Sequence, residues 1–117
     1  MSESQQQATV IDYFRAKYSG QLIFAIPNGT HIKSYAGRSK ASKEGLTAGI
    51  PDLMIASARG GYHGLFIEMK DVKKTKCSLT KQQELKIFEL NNLGYKAVWC
   101  AGADAAIDII DNYMRKK

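Results

Sequence analysis

The sequence predicts an α/β fold in which a mixed central sheet is flanked by helices, with the elements in the order αβββαβα. Three observations carry this expectation. Four short runs of branched and aromatic residues are each bounded by Gly, Pro, Asn or Ser. Three longer stretches carry apolar residues at helical spacing. The second and third strand runs are separated by Ala58-Arg59-Gly60-Gly61-Tyr62-His63, whose glycines suit a hairpin with a longer turn. At 117 residues the chain is expected to be one domain, 1–117, because halves of it would be too small to hold a core.

The elements follow in order. Residues 4–18 form the first expected helix: Ile11, Phe14 and Tyr18 fall at i, i+3 and i+7, Val10 widens the stripe, and Ser2 or Ser4 supplies a cap. Gly20 ends it. Residues 21–26 are an apolar strand run stopped by Pro27-Asn28-Gly29. Residues 27–50 are rich in Gly, Ser and Lys with little apolar periodicity, and are expected to be a long functional loop. Strands are expected over 52–56 and 64–69. Thr80 followed by Gln83 is a capping-box pattern that opens a helix to about Leu93, with Gly94 placed to end it. Residues 95–100 make a fourth strand. Asp104 starts a last helix with Ile107, Ile110 and Met114 on one face.

Composition narrows the function classes. With 44% apolar and 24% charged residues, the chain has the make-up of an ordinary globular protein. No run of about 18 apolar residues is present, so no membrane span is expected. The polar start, MSESQQQ, lacks the pattern of a signal peptide, which favours an intracellular, cytoplasmic setting. Cys77, Cys100, His31 and His63 lack the paired spacing of a zinc site, and both cysteines are expected to be reduced and structural. The net charge of +6 favours a polyanionic partner. Its distribution is more telling than its size. The segments 31–43 and 70–81 hold nine of the seventeen basic residues.

Three side chains stand out chemically. In Leu65-Phe66-Ile67-Glu68-Met69-Lys70 both faces are otherwise apolar, which marks a central strand. Side chains two apart share a face, so Glu68 and Lys70 lie together. Charges there are costly unless paired or bound to a metal. Asp52 follows Gly49-Ile50-Pro51 and heads the preceding strand, so the hairpin brings it beside Glu68. Two converging carboxylates suit Mg²⁺ or Mn²⁺, and Lys70 is placed to orient or activate water or to neutralise phosphate charge. A strand-end salt bridge and an ordinary turn aspartate would explain the same residues singly, but not their joint placement between two basic segments.

Gly49-Ile50-Pro51-Asp52, then fifteen residues, then Glu68-Met69-Lys70 resembles the PD-(D/E)xK nuclease signature, with its restriction-endonuclease-like core. The Pro27-Asn28-Gly29 turn, Glu44-Gly45 and Leu79-Thr80-Lys81-Gln82-Gln83 narrow the resemblance to the virus-type replication-repair nuclease (VRR-NUC) branch in its stand-alone viral or bacterial form. The likeness spans Glu3 to about Ala101. It implies a deoxyribonuclease of a bacterial cell or phage-infected host, catalytic roles for Asp52, Glu68, Lys70, Gln83 and Glu3, and metal contacts by Asp52, Glu68, the Met69 carbonyl and Glu3. Glu3 stands four residues before Gln7, as in the family pattern. Charge compensation at a helix start would also explain Glu3, and the capping box would also explain Gln83.

DNA contacts are expected from Asn28, Lys33, Arg38, Lys40, Lys43, Lys73, Lys74 and Lys76. His31 and His63 are expected to be exposed or to touch phosphate, Tyr95 and Trp99 to pack on the fourth strand, and Tyr13, Tyr18 and Tyr62 to be packing residues rather than base-stacking ones. The expected partner is DNA, branched and most specifically the four-way junction, cut by a homodimer. Flaps, nicks or plain duplex are the alternative substrates, and a non-catalytic nucleic-acid-binding module is the alternative class. Tyr13 and the edge of the fourth strand are the expected dimer surfaces.

Overall fold

The computed structural model describes residues 1–27, 32–73 and 78–117. Its elements are α1 (Glu3–Lys17), β1 (Ile23–Ala25), α2 (Tyr35–Lys43), β2 (Leu53–Ile55), β3 (Leu65–Lys70), α3 (Lys81–Asn92), β4 (Lys96–Ala101) and α4 (Ala103–Met114). The order is therefore αβαββαβα, and the sequence expectation of αβββαβα is corrected by one helix. α2 lies inside the stretch read as a loop. It buries none of its residues, so it has no apolar stripe for periodicity to reveal. Its start is set locally, by the Ser34 hydroxyl accepting from the Gly37 amide at 2.9 Å.

The sheet order is β1-β2-β3-β4. β1 and β2 pair antiparallel, as do β2 and β3 in the expected hairpin, while β3 and β4 run parallel, so the sheet is mixed. α1 begins at Ser2, which forms a capping box with Gln5. Gly94 sits beyond α3 with φ +96°, a conformation that L side chains rarely adopt, and a side chain there would strike the ring of His63.

Alternation along the strands sorts the sheet into two faces. One carries Ile23, Leu53, Ile55, Leu65, Ile67, Met69 and Cys100 against Val10 and Phe14 of α1 and Ala106, Ile110 and Tyr113 of α4. α4 enters this core through Ala103, Ala106, Ile110 and Tyr113, with Met114 partly buried against it; of the expected Ile107, Ile110 and Met114, it is Ile107 that does not join the core. Alanines supply the close approach, and fully buried Tyr113 satisfies its hydroxyl by donating to the Ser57 carbonyl at 2.7 Å. α1 and α4 are also clasped at Asp111, which accepts from Tyr13 at 2.6 Å, from Lys17 at 3.2 Å and from Tyr18. Tyr13 and Tyr18 thus serve this clasp, as packing residues. The opposite face of the sheet carries Phe66, Glu68 and Lys70 on β3, and α3 lies over its β4 side.

Candidate active site

The charged residues collect where two strands and a helix end. β2 begins at Leu53, paired with Ile67, so Asp52 stands just outside the ladder beside Glu68. The Met69 amide, which β2 is too short to reach, donates instead to Asp52 Oδ2 at 2.8 Å. This bond fixes the aspartate, and it also places the Met69 peptide at the centre of the site. The Met69 side chain points into the core on the other side, its sulfur 3.9 Å from that of Cys100.

Glu68 is only 3% exposed although it is a carboxylate. Burial pushes its pKa up, the negative charge of Asp52 within hydrogen-bonding reach pushes it further, and nearby Lys70 only partly offsets this, leaving it at about 8. Two carboxylates in contact, one of them buried, need a shared proton or a cation between them. That donor chemistry fits a divalent hard ion, for which carboxylate and carbonyl oxygens are the preferred ligands.

Lys70 Nζ lies 3.8 Å from Glu68 Oε2 and donates to Gln83 Oε1 at 2.9 Å. Gln83 donates through Nε2 to Glu68 Oε2 at 3.4 Å. Its Oε1 also accepts from the Thr80 amide at 3.0 Å, while the Gln83 amide donates back to the Thr80 hydroxyl at 3.1 Å. The cap and the contact with the charged cluster, which the sequence presents as alternatives, are made by one side chain. The start of α3 is held in place by Gly49. A Cβ added there would lie 2.5 Å from the Gln82 carbonyl oxygen, and φ is +85°, so the loop entering Asp52 rests on the backbone of the first turn of α3.

Glu3, the first residue of α1, is exposed but stands in the field of the same cluster. Its pKa is raised by partial burial and then by Asp52 and Asp71, against a lowering by Lys70. Among the described residues no three His, Cys, Asp or Glu side chains gather as one group, so the ligand-like core is the Asp52–Glu68 pair. A cleft of about 420 Å³ opens past the carboxyl ends of β3 and β4, between Gln6, Thr9, Val72 and Gly102. Gln6 went unnoticed in the sequence; its Oε1 accepts from the Ala103 amide at 2.7 Å, tying α1 to the start of α4. Nothing but a glutamine one turn into a helix signalled it.

Of the expected DNA contacts, Lys33, Arg38, Lys40, Lys43 and Lys73 are exposed. Lys33 and the residues of α2 lie away from the carboxylates in sequence, while Lys73 follows β3 closely, its amide donating to Asp71 at 2.9 Å. Asn28, Lys74 and Lys76, together with His31 and Cys77, lie outside the described residues. His63 is exposed and packs edge-on against Tyr95.

The family model described as the VRR-NUC domain matches residues 2–104. A solved structure named "VRR_NUC domain protein" is similar to this chain with a TM-score of 0.83 and 31% sequence identity, the match covering 99% of this chain and 90% of the other. No curated protein matches the chain. No helix among the described residues is long and apolar enough to cross a membrane.

Proposed function

The chain belongs to the VRR-NUC domain family, and from that premise we propose that it is a Mg²⁺- or Mn²⁺-dependent endonuclease that hydrolyses phosphodiester bonds in DNA, selecting branched substrates and most specifically four-way junctions. The observation that carries the reading is the carboxylate pair of half-buried Asp52 and buried Glu68, with Glu68 at 3% exposure and Lys70 held 3.8 Å from it. A cluster this costly has a clear use in binding a cation beside a phosphate.

Asp52, Glu68 and the Met69 carbonyl would hold the ion, with Glu3 reaching it through water. A divalent ion there supplies a Lewis acid for the phosphate and a more acidic water. The chain supplies the rest. The Met69 amide keeps Asp52 in one orientation, so the site costs little to organise at the moment of reaction. Lys70 is placed to hold the attacking water and to meet negative charge growing on the phosphate. Gln83 fixes the lysine by a single 2.9 Å bond, leaving its other two N–H groups for substrate. Exposed Lys33, Arg38, Lys40, Lys43 and Lys73, with Asn28, Lys74 and Lys76, would bind the flanking phosphates.

Symmetric cutting of a four-way junction requires two sites related by a two-fold axis, and one chain carries one Asp52-Glu68-Lys70 set, so the working unit is a homodimer. The Tyr13 hydroxyl is occupied within the chain by Asp111, which leaves the outer edge of β4 as the better of the two expected surfaces. The test is incubation of the purified protein with labelled four-way junction, flap, nicked, duplex and single-stranded DNA, with and without Mg²⁺ or Mn²⁺. Metal-dependent cleavage strongest on the junction is the expected result. Cleavage confined to flaps or duplex would remove the junction preference, and binding without cleavage under every condition would make the chain a nucleic-acid-binding module.

A further inference from the structure

We propose that α2 is a DNA-holding arm, a basic helix that stands off the body of the protein and lies against the phosphates of duplex DNA flanking the cut. This rests on the nuclease reading above, and it adds which element grips the substrate and in what form.

The arm is rooted at the site. The Ile26 amide donates to the Asp52 carbonyl at 2.8 Å, so the two ends of the excursion that carries α2 meet beside the carboxylate pair. Within that excursion α2 buries no residue, and among the described residues it packs against no other helix or strand. A nine-residue helix is marginal in water without packing. Here local bonds hold it instead. Ser34 caps its start, Arg38 donates to the carbonyls of Lys33 at 2.9 Å and Ile32 at 3.4 Å, and the Leu46 amide closes its end on the Ala41 carbonyl at 2.9 Å. Among the described residues this helix thus has no packing partner in another helix or strand.

Charge selects the partner. Lys33, Arg38, Lys40 and Lys43 are all exposed, and the helix contains no acidic residue. To a second copy of the chain the helix offers no apolar seam beyond Tyr35, which is 82% exposed. A row of phosphates fits, because each one neutralised releases condensed counterions. Ala36, Gly37, Ser39, Ala41 and Ser42 are small enough for the helix backbone to come close to a groove. At about 1.5 Å per residue the arm spans about 13 Å, or roughly four base pairs of duplex.

The experiment compares wild type with a triple variant carrying Lys33→Ala, Lys40→Ala and Lys43→Ala, and with the charge-retaining triple Lys→Arg variant. Arg38 is left in place because it holds the arm together. Binding is measured by anisotropy in EDTA on DNA whose duplex flank is lengthened stepwise, at several salt concentrations, and cleavage of each DNA is followed separately with Mn²⁺. Wild type should gain affinity as the flank grows by about half a helical turn, and the alanine variant should lose that gain. Its log–log salt slope should fall by about 0.9 per lysine removed, up to nearly 3, with affinity reduced tenfold or more. The arginine variant should retain both, and all three should melt alike because the arm buries nothing. An unchanged salt slope and flank gain, with metal-dependent cleavage intact, would overturn the arm and leave the nuclease reading standing. An equal loss on single-stranded DNA, with no flank effect in wild type, would overturn the duplex assignment. Absence of DNA binding and of cleavage in wild type would overturn both readings.

Discussion

Replacing Glu68 by glutamine should stabilise the metal-free protein at high pH while abolishing its response to metal. Glu68 titrates at about 8 in the fold against 4.5 for a free glutamate, chiefly through burial and then through the charge of Asp52. A folded-state pKa above the unfolded one means that the folded protein binds the proton more tightly. The associated stability is therefore complete below about pH 4.5, declines as pH rises, and is gone above about pH 8. At about 1.4 kcal/mol per pKa unit the full loss is on the order of 5 kcal/mol. With Glu68 only 3% exposed, solvent does little to screen it. Glutamine keeps the shape, carries no charge at any pH and can still accept from Gln83, so Glu68→Gln should escape the loss. Thermal melts in EDTA between pH 5 and pH 9 measure this. The two proteins should be close near pH 5 and should separate by about 10 °C or more by pH 9, at roughly 3 to 5 °C per kcal/mol for a domain of this size. Added Mn²⁺ or Mg²⁺ at pH 8 should raise the melting temperature of wild type and leave the variant unmoved. Other groups titrate in both proteins, so the difference between them isolates Glu68. Parallel pH curves would refute the carboxylate pairing, and an equal metal response would place the ion elsewhere.

Asp52→Asn, Glu68→Gln and Lys70→Ala should each lower single-turnover cleavage by orders of magnitude while anisotropy shows DNA binding largely kept; activity of either carboxylate variant within a few-fold of wild type would sink the assigned site. Gly49→Ala should displace the first turn of α3, because its Cβ would meet the Gln82 carbonyl at 2.5 Å, and should lower the cleavage rate without adding to the loss already caused by Gln83→Ala; additive losses would show that Gly49 does not act through Gln83. Tyr113→Phe leaves the Ser57 carbonyl without its 2.7 Å donor in the core and should cost about 1 to 3 kcal/mol by denaturant unfolding, at unchanged m-value. Sedimentation at micromolar concentration, alone and with junction DNA, should show a dimer, and a monomer that still cuts junctions symmetrically would refute the two-fold argument.

What could be read from the sequence follows from what each residue responds to. Ser2, and Thr80 with Gln83, announce helix starts because capping is decided within four residues. The run 65–70 announces a central strand because burial on both faces leaves it apolar throughout, apart from the two charges that mark the site. α2 escapes such reading since it responds to no core at all. Part of the buried face of α4 escapes it for a related reason. Its contact with the sheet and α1 uses Ala103 and Ala106, whose small side chains carry little periodic signal, and Tyr113, whose polar end finds a partner only in the folded chain. Gln6 and Gly49 act on atoms nearly a hundred and over thirty residues away, at Ala103 and Gln82, and although Gly49 opens the motif that ends at Asp52, nothing local reveals either contact.

At Gln83 the local demand of the helix cap and the tertiary demand of the charged cluster meet in one side chain. A capping glutamine must aim its side-chain oxygen back at the amide of Thr80, and that demand alone fixes its rotamer. The same oxygen, so aimed, is the one that accepts from Lys70 at 2.9 Å, and the amide nitrogen is thereby turned toward Glu68. A carbonyl oxygen has two lone pairs, so serving the helix leaves one for the lysine. Capping therefore does not explain the contact away. It supplies the rigidity that lets a surface-helix glutamine hold a charged lysine still, and Gly49, packed under the same turn, ties that rigidity to the loop that delivers Asp52. The position of the lysine relative to the carboxylates is thus set by the first turn of a helix that contributes no fully buried side chain to the core.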